Sequence, residues 1–267
     1  MLGYMTRSAR WGCGNQSYRR PSWHYDESVI VPNRCSFAKV ALLFQPLLDE
    51  AVIAYQQIFN HDLVSIRLLG SVARGEAIPG ESDIDFMALL QAPASARAAE
   101  ALQEAAEDLL QLHAVVSRVD LDAIHRDALQ EVQHFILGND SLLLYGKDDV
   151  AHGQQTMNRS HLISLVTLSA ADLIRSYRTT VERLDDPDGV RRLSRVTGKD
   201  LLKCLRGVAL ARGAAYENRI EAIYHQVVAF VPEQRDLAEE LYTCYRLPTS
   251  DKNQLRGILA LAELRFR

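Results

Sequence analysis

Every stretch of this 267-residue chain that reads as a β-strand falls before residue 150. Leu63 to Leu69 is one short apolar run and Ile84 to Leu90 a second, and the loop between them, 70–82, is punctuated by glycine and proline. Val115 to Ile124 alternates as a third strand does. Around these runs the period is helical: Val40, Leu43, Phe44, Leu47, Leu48, Ala51, Val52 and Tyr55 predict an amphipathic helix over 37–59, and the Ala/Glu/Leu-rich run from Ser95 to His113 predicts another. Beyond Asp149 only helical spacing remains. It covers 159–184, stops at Asp185-Asp186-Pro187-Asp188-Gly189, and resumes over 190–213, 217–230, 233–245 and 251–266, with breaks at Gly213, Pro232 and Pro248. The chain is therefore expected to be α+β, with a poorly ordered extension at 1–35, a small sheet domain with flanking helices at 36–155, and an all-helical bundle at 156–267.

No run approaches the ~18 consecutive apolar residues that a membrane helix needs. Arg7, Arg10, Arg19 and Arg20 are scattered among polar residues with no apolar core like that of a signal peptide. A cytoplasmic protein without membrane association is the expectation. Cys13, Cys35, Cys204 and Cys244 are widely spaced, form no C-x-x-C pair, and read as free thiols. The net charge of −4 is unevenly spread: residues 36–158 carry eighteen acids against seven bases, and residues 159–267 carry eighteen bases against fourteen acids. Such a split suits a cleft where the acidic side holds cations and the basic side holds a polyanion; the plainer alternative is two solvated faces. General nucleic-acid binding is not expected of so acidic a chain.

The chemistry lies in two short segments. Ile66-Arg67-Leu68-Leu69 runs as a strand into Gly70-Ser71, where a small pair lets backbone N–H groups and one hydroxyl approach an anion at a helix start. Asp83-Ile84-Asp85 then places two carboxylates on one face of a strand while Ile84 points to the core, a set of hard oxygen ligands suited to Mg2+. Asp120, between Val119 and Leu121 on the third strand, could add a third acid, and Asp122 competes for that role. Taken singly, a Gly-Ser is a turn and an Asp-x-Asp a solvated strand edge. In the basic half, Lys199, Lys203 and Arg206 share one helix face and could reach phosphates, or could simply face solvent.

From Leu68 through Met87 the sequence resembles the nucleotidyltransferase superfamily of the DNA polymerase beta type, and within it the minimal and aminoglycoside-type nucleotidyltransferases. Their shared pattern is a hydrophobic strand, Gly-Ser, a short Arg-Gly-containing helix and loop, then Ser-Asp-hydrophobic-Asp-hydrophobic. The resemblance implies a small mixed sheet, phosphate contacts from Gly70, Ser71 and Arg74, metal binding by Asp83 and Asp85, and Asp120 as third catalytic acid. It implies two Mg2+ ions, ATP or another nucleoside triphosphate as substrate, and transfer of a nucleoside monophosphate, AMP foremost, to a hydroxyl of a small molecule or protein, with pyrophosphate released. Lys199 and Lys203 would meet the β- and γ-phosphates. The helical half is similar in order and helix count to the C-terminal domains of aminoglycoside-type nucleotidyltransferases. The rival reading is a regulatory nucleotide-binding module without turnover, such as a toxin–antitoxin component. A homodimer is left open, and the acceptor is not legible.

Overall fold

A computed structural model describes residues 27–148, 150 and 155–266. Its elements run β1 (Ser28–Val31), α1 (Gln45–Phe59), β2 (Leu63–Leu69), α2 (Gly70–Arg74), β3 (Asp83–Leu90), α3 (Ala96–Leu112), β4 (Arg118–His125), α4 (Glu131–Asn139), β5 (Ser141–Gly146) and β6 (Gln155–Asn158). Helices follow: α5 (Arg159–Val166), α6 (Ala170–Arg183), α7 (Pro187–Ala211), α8 (Ile220–Phe230), α9 (Arg235–Arg246) and α10 (Lys252–Arg265). The architecture is α+β, with a small mixed sheet and a helical C-terminal region. No helix among the described residues is long and apolar enough to cross a membrane. Cys35, Cys204 and Cys244 are free thiols, and Cys13 lies outside the described residues.

Four strands form the main sheet in the order β4-β3-β2-β5, with β3 and β4 parallel and the other pairs antiparallel. Period-2 alternation decides its two faces. Ile84, Phe86 and Ala88 are buried against a core built from α1 (Leu47, Leu48, Ala51, Tyr55) and α3 (Leu102, Leu109). Asp83, Asp85 and Met87 consequently face the other way. Towards the far end of β3, Leu137 of α4 packs with Leu89, Met87 and Leu69 and closes that second face; the end bearing the aspartates is left for α7.

Several boundaries differ from the sequence expectation. The helix expected over 37–59 begins only at Gln45, after two 3-10 turns at Phe37–Lys39 and Leu42–Phe44, because Pro46 fits a helix only in its first turn, where no N–H is needed. The run expected over 159–184 is cut in two: Ser169 caps α6 by accepting from the Asp172 N–H at 3.3 Å, which ends the apolar period at Thr167. Asp185–Gly189, read as a turn, holds the cap and first turn of α7, with the Asp186 side chain accepting from the Gly189 N–H and Pro187 in the first turn. No element was expected over 131–146, where α4 and β5 lie.

Residues 28–31, expected within the unstructured extension, form β1, which pairs antiparallel with β6 beyond the point where strand signals end in the sequence. Four residues are too few for an alternation to stand out, yet Val29 and Val31 are buried while Ser28 and Ile30 are exposed. They join Phe135, Leu162, Val166, Leu210 and Tyr216 in an apolar cluster that ties the sheet to the helices. Residues 1–26 of that extension, and 151–154 at the expected boundary, lie outside the described residues.

The helical half is organised on α7. Its Leu201, Leu202 and Leu205 are buried with Ile223 and Val227 of α8 and Leu237 and Leu241 of α9. At Gly198 the backbones of α7 and α9 touch: a Cβ there would run into the Leu241 carbonyl oxygen and stand 2.8 Å from the Tyr245 nitrogen. Gly198→Ala is expected to destabilise the protein by about 1–3 kcal/mol through overpacking, net of the gain in helix propensity. A urea-denaturation midpoint equal to or above that of the parent would contradict this close approach.

Candidate active site

Strand register builds the acid cluster. Along the parallel β3/β4 pair, Asp83 stands opposite Arg118, Asp85 opposite Asp120, and Met87 opposite Asp122. On the other side of β3, Asp85 pairs with Leu69, the last residue of β2, so the chain turns into Gly70 directly beside the Asp85 carboxylate. Gly70 has φ +74°, and a Cβ on it would lie 2.9 Å from Asp85 Oδ2. Both the left-handed backbone and the close approach require glycine. Ser71, half-buried, opens α2 next to it.

Two cations from different parts of the chain stand among these acids. Arg118 Nη2 lies 2.5 Å from Asp120 Oδ2 and 3.3 Å from Asp83 Oδ2. Lys199 Nζ, from α7, lies 3.4 Å from the same Asp83 oxygen. Burial works to raise the Asp83 carboxyl, but Lys199 and Arg118 outweigh it and hold Asp83 below the usual carboxylate range. Asp85 goes the other way: burial, then the charges of Asp83 and Asp120, push it up to about 7. The cluster therefore holds more negative charge than Lys199 and Arg118 offset. Among the described residues no group of three His, Cys, Asp or Glu side chains already surrounds one cation position; Arg118 and Lys199 stand between the acids instead. Sequence reading passed over Arg118, although it lies two residues before Asp120 and so shares its face of β4 by the same rule that singled out Asp83 and Asp85.

The basic stripe is divided. Arg206 is turned inward, donating to Asn218 Oδ1 at 2.5 Å and to the carbonyls of Glu217 and Val166, with its guanidinium over the Tyr216 ring. These contacts tie α7 to the chain that follows it. Lys203 has no hydrogen bond or ion pair among the described residues. Burial first, then Lys199, Arg206 and Arg74, hold its ammonium below the usual range, against the pull of Asp200. Arg74 is placed on Asp140 at 2.6 Å and Glu76 at 2.8 Å, with its side chain 11% exposed. Asp122 lies two register pairs farther from Asp83 than Asp120 does, and its carbonyl accepts a hydrogen bond from the Tyr55 hydroxyl.

Residues 53–134 match the family model described as nucleotidyltransferase domain. Among solved structures, spectinomycin adenyltransferase from Enterococcus faecialis, crystallised with ATP and spectinomycin, has the same fold: TM-score 0.51 at 10% identity, over 82% of this chain and 99% of that one. A toxin–antitoxin crystal structure with AMP-PNP matches over 38% of this chain and 74% of that chain, at 20% identity and a TM-score of 0.30. No curated protein matches.

Removing the Arg74 guanidinium would leave the Asp140 carboxylate, 19% exposed, without its partner. Arg74→Ala is expected to cost about 3 kcal/mol of folding stability. A loss below about 1 kcal/mol in chemical denaturation, the range of an exposed pair, would contradict a structural load on this ion pair.

Proposed function

We propose that this chain, whose residues 53–134 form a nucleotidyltransferase domain, transfers AMP from ATP to a hydroxyl of a small molecule or protein and releases pyrophosphate. The observation that carries the reading is the meeting of Asp83, Asp85 and Asp120 on one sheet face with Lys199 from the helical half. A likeness in fold to an adenyltransferase crystallised with ATP supports adenylyl as the group moved.

The three carboxylates are hard oxygen donors, and Asp85, pushed up to about 7 by burial and then by the charges of Asp83 and Asp120, stands where a hard divalent cation would be favoured. Asp83, Asp85 and Asp120 would hold Mg2+, which supplies positive charge to the attacking and leaving oxygens of an in-line displacement when bound. Gly70 and Ser71 offer backbone N–H groups and a hydroxyl to phosphate oxygens. Lys203, which makes no hydrogen bond or ion pair among the described residues, meets the β- and γ-phosphates, and Lys199 exchanges part of its contact with Asp83 for phosphate. Asp120, 34% exposed on the edge strand β4, takes the proton of the acceptor hydroxyl. The sheet unit at 36–155 and the helical unit at 156–267 thus act as two walls of one cleft. Little covalent chemistry is asked of the protein beyond placing charge and excluding misaligned attack.

Asp83→Asn keeps the side-chain shape and removes the charge, so Mg2+-dependent pyrophosphate release from ATP should fall on the order of a thousandfold while the fold persists. Near-parental turnover would refute the role given to Asp83. Lys203→Ala should weaken ATP binding in calorimetry by about tenfold, the size of one charge-assisted hydrogen bond, and leave AMP binding nearly unchanged. Equal losses for ATP and AMP would place Lys203 away from the β- and γ-phosphates.

A further inference from the structure

A cavity of about 750 Å3 opens between the loop before β3 and the helices α7 and α9, with Ile78, Glu81, Arg191, Arg195, Tyr242 and Arg246 among its walls. This is the size of a small-molecule site. It lies against the acid cluster: Glu81 precedes Asp83 by two residues, and Arg195 precedes Lys199 by one helical turn.

Among the residues that line the cavity, charge is one-sided. Glu81, the acid in its wall, is already taken by Arg195, whose Nη2 stands 2.5 Å from Glu81 Oε2 while its guanidinium lies over the Tyr245 ring. Arg191 and Arg246 have no hydrogen bond or ion pair among the described residues. Tyr242 is stacked on Tyr224 with ring centroids 4.4 Å apart, which fixes an aromatic wall beside the two free guanidiniums. Along α7 the cations Arg191, Arg195, Lys199 and Lys203 recur at every fourth residue, a stripe about 18 Å long. The Lys199–Asp83 contact divides it. Lys203 is free on one side, and Arg191, with Arg246 across the cavity, is free on the other, so the cleft offers two separate places for anionic groups.

We infer that this cavity takes the hydroxyl-bearing acceptor and that the acceptor is an anion, a small phosphate ester or carboxylate, and not a cationic sugar. The inference rests on the transfer reading above. In the reaction the acceptor oxygen forms the bond to the α-phosphorus, the bond from that phosphorus to the oxygen bridging it to the β-phosphate breaks, pyrophosphate leaves, and the hydroxyl proton passes to Asp120. A cationic acceptor would meet two uncompensated guanidiniums and find Glu81 occupied.

The test is calorimetric titration of the full chain with glucose 6-phosphate and with glucosamine, in the absence and presence of saturating ATP. Glucose 6-phosphate is expected to bind at least about tenfold more tightly than glucosamine and to remain bound when ATP is added. The double variant Arg191→Ala/Arg246→Ala should lose about tenfold or more of that affinity with ATP affinity unchanged, and Arg191→Lys/Arg246→Lys should restore part of it. Equal or tighter binding of glucosamine, no binding of glucose 6-phosphate at millimolar concentration, its displacement by ATP, or undiminished binding by the alanine variant would each overturn the inference. Failure of the transfer reading is separately visible as absence of ATP binding to the parent chain, and sugar-phosphate binding without ATP binding would overturn the acceptor role.

Discussion

Three carboxylates held abreast on one sheet face repel one another, and the contact of Lys199 with Asp83 is what brings the helical half into that balance. The repulsion follows from period 2 and parallel register: with Asp83 and Asp85 on one strand and Asp120 opposite Asp85 on the next, no rotamer carries the three charges far apart. Arg118 relieves part of it from the same strand as Asp120, and Lys199 relieves part from 116 residues away in sequence. At Asp85 burial, and after it the charges of Asp83 and Asp120, push the carboxyl up to about 7. Unbalanced charge of this kind favours the binding of counter-charges, which is why the proposed function gives the acids a divalent cation and Lys203 a polyphosphate.

Much else in the helical half serves to place α7. Asp186 and Pro187 start it, the close approach at Gly198 sets it against α9, and Gly207 lets Thr167 approach it, since a Cβ at Gly207 would stand 2.6 Å from Thr167 Oγ1. Arg206, bonded to Asn218 and to the Glu217 and Val166 carbonyls, anchors the later part of the helix. The apolar cluster around Val29, Val31, Leu210 and Tyr216 ties its end to the sheet unit. One helix fixed this firmly holds the backbone positions of Lys199 and Lys203 in place beside the acid cluster.

The acid cluster was legible in the sequence because a strand's two-residue period puts Asp83 and Asp85 on one face without any knowledge of tertiary structure, whereas which of Asp120 and Asp122 stands opposite Asp85 needed the register, which puts Asp120 there. Arg118 obeys the same rule and went unread, since a lone basic residue on a strand carries no signal until its neighbours are known. Lys199, Lys203 and Arg206 look equivalent at helical spacing; only packing distinguishes the inward Arg206 from the unpaired Lys203, and the stripe proves to continue through Arg195 and Arg191 instead. The strand pair β1/β6 was beyond sequence reading because four-residue strands separated by 123 residues leave no local period, and their pairing is decided by the burial of Val29 and Val31. Arg74 shows another limit: a motif match does not reveal the partners of its side chain, here Asp140 and Glu76.

A crystal structure of the full chain with Mg2+ and an ATP analogue that cannot release pyrophosphate tests the central claim most directly. The account predicts the α-phosphate near Gly70 and Ser71, Mg2+ among Asp83, Asp85 and Asp120, and the β- and γ-phosphates against Lys203, with Lys199 drawn towards them. A triphosphate bound away from α7, with Lys199 still engaged by Asp83 and no cation among the three aspartates, would contradict it.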